Sequence, residues 1–292
     1  MKKYTLLISL MWIGCQQPIP PTSEHESFSL NQKFKSYWFD GTAEITSFQL
    51  SQNRYGEARQ GSAVLIYVTE DFLAKEQVKA NQKASNTYLV LKLNRIKNFI
   101  TGIYPYSIMH SAFTRLGHKN PLVKTTTSIQ EWCGQAYMQL NKRQNIAIKS
   151  HSYFEGEADQ ELSIEDVLTE DELWLWIRTQ PDQIPLGKMS LLPSFEYLRL
   201  QHQPIQPYTA EINKLSTDSI THLQISYPTL ERKLTISFES VSPYRIQYWR
   251  EEQLNFPDRV TEAFRIQSIK LPYWQHNRLE DESLRDSLGL TH

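Results

Sequence analysis

Cysteine is nearly absent from this 292-residue chain: Cys15 and Cys133 are its only two, so at most one internal disulfide could form. If Cys15 is consumed by another chemistry, none can, and the fold rests on its apolar core. Cys133 then reads as a small buried hydrophobe. Glycine is scarce as well, with ten residues. No G-x-G-x-x-G, no Walker loop and no G-x-S-x-G elbow is present, which lowers the expectation of nucleotide binding and of the common hydrolase chemistries. Neither sign of charge dominates: 31 Lys and Arg face 32 Asp and Glu, for a net charge of −1. The basic residues are scattered, which argues against a nucleic-acid footprint. Eight histidines occur without an HxH or HExxH pair, so neither a metal site nor a cofactor is implied by spacing. No apolar run approaches the roughly 20 residues of a membrane-spanning helix.

The start of the chain is distinctive. Lys2 and Lys3 precede the apolar run Leu6-Leu7-Ile8-Ser9-Leu10-Met11-Trp12-Ile13, and small Gly14 stands before Cys15. A basic n-region, a short apolar h-region and a small residue at the cut have the pattern of a signal peptide. The run resembles the lipobox of bacterial lipoproteins, with Trp12 where leucine usually stands. That resemblance implies cleavage before Cys15 and lipid on its sulfur. Gln16-Gln17-Pro18-Ile19-Pro20-Pro21 follows, an extended stretch suited to a tether. Two or three acyl chains, at about 0.8 kcal/mol per buried methylene, would hold such a chain on a membrane. No Asp follows the cysteine and no early acidic cluster appears. By analogy with other lipoproteins, the expected place is the outer membrane, facing the periplasm. The expected organisation is a signal at 1–14, a tether at 15–33, one domain at 34–272 and a polar tail at 273–292.

Hydrophobic residues make up 40% and charged residues 22% of the chain, the balance of a globular protein. Seven Trp, fifteen Tyr and twelve Phe, with frequent Thr, Ile and Val, favour strands. Period-two alternation marks strands at 221–227, 233–239, 244–250 and 264–269, an antiparallel meander with a turn at Ser242-Pro243. Earlier candidates are 37–39, 43–50, 62–69, 87–93, 123–128 and 145–154, punctuated at Asp40-Gly41 and Gly56-Glu57. Val64 to Val68 is apolar on both faces and so reads as a central strand. One segment departs from this pattern. Thr169, with Glu172 three residues on, forms a capping box, and Pro181 stops the run. The predicted fold is therefore mainly β, a curved antiparallel sheet or half-barrel with one inserted helix around 169–180.

Candidate chemistry is sparse. Cys133, in Glu131-Trp132-Cys133-Gly134, could be a nucleophile with His110 or His151 as base, but a strand with a packed Trp and a buried thiol is the simpler reading. The acids Glu155, Glu157, Asp159 and Glu161 lack the ordered spacing of a calcium loop and read as an acidic loop. No catalytic residue is assigned. The aromatics Trp38, Trp132, Trp174, Trp176, Tyr248 and Trp249 are candidates for lining a concave, ligand-holding face.

Phe39-Asp40-Gly41-Thr42-Ala43-Glu44, Arg54-Tyr55-Gly56-Glu57, Thr101-Gly102-Ile103-Tyr104-Pro105-Tyr106-Ser107 and Gln130-Glu131-Trp132-Cys133-Gly134 together resemble a family of lipoproteins from Bacteroidota-type bacteria. The resemblance runs from about residue 36 to 272. Its members carry the label "septum formation inhibitor Maf", which implies a nucleotide pyrophosphatase with Ser-x-Ser-Pro-Arg-Arg in an α/β domain. This sequence has no such run and a strand-rich pattern, so no catalytic residue is carried over. The expected function is a non-enzymatic envelope lipoprotein binding a lipid-like ligand or a partner protein. The alternatives are an envelope hydrolase acting on polysaccharide or cell wall, which would need two carboxylates converging in a cleft, and a structural assembly factor.

Overall fold

The structure is a computed structural model that describes residues 29–118 and 122–290. The signal run, Cys15 and most of the tether lie outside the described residues. Sixteen strands form one sheet among those residues. The first half supplies β1 (Ala43–Arg54), β2 (Glu57–Leu73), β3 (Val78–Lys79), β4 (Thr87–Thr101), β5 (Tyr104–Arg115), β6 (Leu122–Glu131), β7 (Gly134–Lys142), β8 (Ile146–Ser152) and β9 (Gln160–Ile164). The second half supplies β10 (Leu168–Thr169), β11 (Gly187–Leu192), β12 (Tyr208–Ser216), β13 (Ile220–Tyr227), β14 (Arg232–Glu239), β15 (Ile246–Gln253) and β16 (Phe256–Leu271).

The connectivity is circular. Apart from the short β3, which pairs only with β2, each strand from β1 to β9 pairs with the next, and so does each from β10 to β16. β16 then pairs antiparallel with β1 along Ala43↔Leu271 to Ser51↔Glu262. The sheet stays open at one seam, between β9 and β10, which only residues 165–167 separate. The four chain steps from Ile164 to Leu168 reach at most roughly 14 Å, so the two sheet edges come close there without a shared ladder. Short edge strands and acids at the seam (Glu161, Glu165, Asp166) discourage pairing with another chain.

Alternation decides which side chains face inward. Phe48, Leu50 and Gln52 of β1, Leu65 and Tyr67 of β2, Leu91 and Leu93 of β4, and Leu234, Ile236 and Phe238 of β14 are all buried on the concave face. Val64 and Ile66 lie on the other face of β2 and are half-buried, while Val68 is buried, so this central strand is largely covered on both sides. The β1–β2 hairpin turns at Tyr55 (φ 58°) and Gly56 (φ 78°). Two successive positive φ values are the type I′ geometry that matches strand twist, and glycine occupies the second position without steric cost.

The helical insert runs from the seam into the concave face. α2 (Glu170–Thr179) has the predicted capping box, with Glu172 N donating to Thr169 Oγ1 at 3.2 Å and Thr169 N to Glu172 Oε2 at 3.0 Å. Leu173, Trp174, Leu175, Trp176 and Ile177 are all buried, the all-round burial of a core helix. α3 (Phe195–Leu200) follows, also fully buried.

The structure corrects two local expectations. Residues 37–39 are not a strand. α1 (Gln32–Trp38) is capped by Asn31, whose Oδ1 accepts from Phe34 N at 2.8 Å, and it buries Phe34 and Trp38 one turn apart. Trp132 and Cys133 are not packed in a strand either. They form the exposed β6–β7 turn, with Trp132 68% exposed. Gly134 lets Tyr153 close over the hairpin, since a Cβ there would lie 2.8 Å from its ring. The C-terminal segment ends in α4 (Ser283–Ser287), after which Leu288 is buried and Gly289 approaches Ile266 of β16.

Candidate functional site

The insert is tied to the sheet by buried charge. The first turn of α2 carries Glu170, Asp171 and Glu172, all buried, and each meets a different part of the sheet. Glu170 accepts from Arg232 Nη2 of β14 at 2.9 Å, from Arg232 Nη1, and from the Tyr227 hydroxyl at 2.9 Å. Glu251 of β15 takes the other side of Arg232. Glu172 lies 3.8 Å from Lys142 Nζ of β7. Asp171 Oδ1 lies 3.3 Å from His110 Nε2 of β5 and 3.9 Å from Arg95 of β4.

The other end of the insert is held in the same way. Arg178 donates two 2.7 Å bonds to Glu44 of β1 and one to the Pro243 carbonyl, and stacks on Tyr67 at 4.4 Å. Glu196 of α3 accepts from Lys97 Nζ at 2.6 Å and Arg95 Nη2 at 3.3 Å. Bidentate and charge-assisted bonds fix geometry well, so these pairs set where the insert sits. Arg178 pulls the Glu44 carboxyl below its ordinary range against the opposing effect of burial. Lys97 and Arg95 do the same for Glu196.

Asp171 differs. Burial pushes its pKa up to about 7, against the attraction of Arg95. Burial, with Arg95 and Lys97 nearby, holds His110 well below the usual histidine range. Asp171 Oδ1 and His110 Nε2 each lack another hydrogen-bond partner. A proton on Asp171 satisfies both atoms at once, while His110 Nδ1 faces Thr127 Oγ1 at 2.8 Å.

What remains of the concave centre is a cavity of about 30 Å³, room for roughly two water molecules. Trp174 and Trp249 meet there edge to face at 5.5 Å, and Glu170, Glu196 and Glu251 border it. Each of these three carboxylates is committed to Arg232, Lys97 or Arg95. Asp171, the acid with the raised pKa, is not among the cavity's lining residues.

The six candidate aromatics do not converge. Trp174 and Trp249 meet at the central cavity. Trp38 lies under Arg178 at 4.9 Å, and Trp176 is buried in α2. Trp132 stands on its exposed turn, and Tyr248 packs on half-exposed Phe264 at 4.5 Å on the outer face. Cys133 shares a surface depression with His151, whereas His110 is buried on the concave side. Glu131 beside the thiol pushes its pKa up, opposite to what a nucleophile needs.

Sequence reasoning missed a slot of about 300 Å³ beside the insert, between β7–β9 and the α3–β12 connection. Met138, Leu162, Leu198, Pro204 and Ile205 form its apolar walls. Arg199 also lines it and is 6% exposed. Glu157 Oε2 lies 3.0 Å from Arg199 Nε, yet neither Nε nor Nη1 has a hydrogen-bond partner. The acidic run that ends at β9 does not converge on a point. Glu157 turns inward, Asp159 faces His151 at 3.3 Å, and Glu161 faces Lys149 at 3.0 Å. A larger depression of about 720 Å³ lies where α1 meets the end of α2, and no buried unpartnered side-chain atom lines it among the described residues.

Compared with protein-family models, with curated proteins and with solved structures, the chain matches none.

Proposed function

We propose that this protein is a cell-envelope lipoprotein, held on the outer membrane through lipid on Cys15, whose half-barrel is a non-enzymatic binding module for a lipid-like ligand. The Arg199 slot carries the reading. Its volume lies at the lower end of the roughly 300–1,000 Å³ of small-molecule sites, and apolar walls with a few polar groups are what such sites present. The concave centre, filled by α2 and α3, is not the binding place. The hydrolase alternative lacks support there, since a general acid must be protonated and face an opening, and the acids bordering the central cavity are ion-paired.

A specific observation favours partner binding as the second reading. Tyr55, Ile103, Trp132 and Leu254 are exposed at four hairpin turns along one rim of the sheet, and large aromatic and aliphatic tips are common anchors in protein interfaces.

Native mass spectrometry of protein purified from membranes tests both halves of the proposal. The expected spectrum shows acyl mass on Cys15 and a non-covalent adduct of lipid-like mass, and Cys15→Ala moves the protein out of the membrane fraction. An adduct-free spectrum, with no uptake of added amphiphile, would remove the ligand reading. Unchanged membrane association of Cys15→Ala would remove the anchor.

A further inference from the structure

We infer that the Arg199 slot selects ligands bearing a carboxylate, and that Glu157 is an internal stand-in for that group which the ligand displaces. The inference rests on the binding-module reading and names the ligand class.

The Glu157 carboxylate marks the subsite. Its Oε1 lies 2.8 Å from His202 Nδ1, its Oε2 accepts from Ser152 Oγ at 2.8 Å, and Arg199 Nε stands 3.0 Å away. Three side chains, one from β8 and two from the end of α3 and the turn after it, thus converge on one carboxylate. Arg199 is more than nine-tenths buried and stacks 4.1 Å over Phe154. Two of its nitrogens lack hydrogen-bond partners, although the guanidinium fork is built for bidentate recognition of a planar carboxylate. Glu157 therefore neutralises Arg199 without using the geometry the fork offers.

Glu157 belongs to the exposed acidic turn between β8 and β9 and is itself partly exposed. Swinging it outward returns its charge to water and disturbs no strand. An incoming carboxylate would take its place against Arg199, His202 and Ser152. The ligand's apolar body would lie between Leu162 and Leu198, in space of about 300 Å³. The class is a small carboxylate amphiphile, because the residue now in the subsite is a carboxylate and the walls beyond it are apolar.

Equilibrium dialysis of labelled hexanoate and hexanol against the full chain in lipid nanodiscs, with empty nanodiscs as blank, tests this. Hexanoate should bind roughly tenfold tighter than hexanol, because a hydrogen bond to a charged group is worth more than one to a hydroxyl. Glu157→Gln removes the competing charge and keeps the shape. It should tighten hexanoate roughly tenfold further and leave hexanol unchanged. Arg199→Gln should abolish the preference for hexanoate. Equal binding of the two probes, unmoved by Glu157→Gln, would overturn the carboxylate assignment while leaving the binding module standing. Binding of neither probe to the wild type or to Glu157→Gln would overturn both.

Discussion

Replacing Arg232 with methionine is expected to cost about 3–5 kcal/mol of folding stability, the cost of leaving a buried carboxylate without its cation. Methionine keeps most of the apolar stem and removes the guanidinium that stacks 4.0 Å over the Tyr197 ring. It leaves Glu170, 2% exposed, with the Tyr227 hydroxyl as its remaining partner. Urea unfolding read as a shift in midpoint at constant slope measures the loss. The double variant Glu170→Leu with Arg232→Met should recover most of it, because buried ion pairs contribute little net stability when both members are replaced by apolar groups of similar size. A loss below about 1 kcal/mol for Arg232→Met alone, well under the range for a broken buried pair, would mean that Glu170 is solvated rather than locked against β14.

Replacing Asp171 with asparagine is expected to stabilise the protein at pH 8 and to have little effect near pH 4. The folded pKa of Asp171, about 7, lies above its ordinary 3.8. The folded state therefore keeps a proton that the unfolded chain has already released. Its contribution is fully present below about pH 4 and is lost as pH rises through 7. Asparagine does not titrate, and its amide can donate to His110 Nε2 as the protonated acid does. The difference should grow between pH 4 and 7 and level off above, reaching on the order of 4 kcal/mol at most for a shift of this size. Glu172, also pushed up by burial, adds to the wild-type decline in the same direction. Glu44 and Glu196 work oppositely: their lowered pKa values support stability in full above the ordinary carboxylate range, and that support is lost as pH falls from there through the lowered values. His110, held well below the usual histidine range, gains stability as pH rises towards its unfolded value and offsets part of the Asp171 decline, so the difference between the two proteins isolates Asp171. A pH profile of unfolding free energy for both proteins checks this, and parallel profiles would place the shared proton elsewhere.

The parts of the fold readable in the sequence are those set by local rules. The capping box at Thr169 and Glu172 and the stop at Pro181 involve neighbours a few residues apart, so α2 was legible. So were the strands whose apolar residues alternate, such as β13 and β14. α1 was missed because Tyr37, Trp38 and Phe39 are three consecutive strand-formers. The competing signal, Asn31 as cap with Phe34 and Trp38 spaced by four, was present but outweighed. β5 escaped because His110 interrupts its inward face between Ile108 and Ala112.

The charged core was less visible, since charged residues are ordinarily exposed. A signal was there nonetheless. Arg95 and Lys97 continue the period-two register of Leu91, Leu93 and Phe99, and Arg232 that of Leu234, Ile236 and Phe238. A cation in the apolar register of a half-buried strand calls for a buried acid. Which acid supplies it, Glu196 or Glu170, depends on tertiary contacts that the spacing does not contain. The Arg199 slot is harder still. It joins a six-residue helix to a turn some forty residues earlier, across the seam of the sheet.

The placement of ligand beside the insert rather than beneath it requires that α2 and α3 stay closed on the sheet. Native-state hydrogen exchange tests this most directly. Backbone amides of α2 from Leu173 onward should exchange only through global unfolding, with protection within roughly tenfold of the amides in β1 and β4. If α2 exchanges a hundredfold or more faster while β1 and β4 stay protected, the insert opens on its own. The concave face, with Trp174 and Trp249 at its centre, would then be the binding surface.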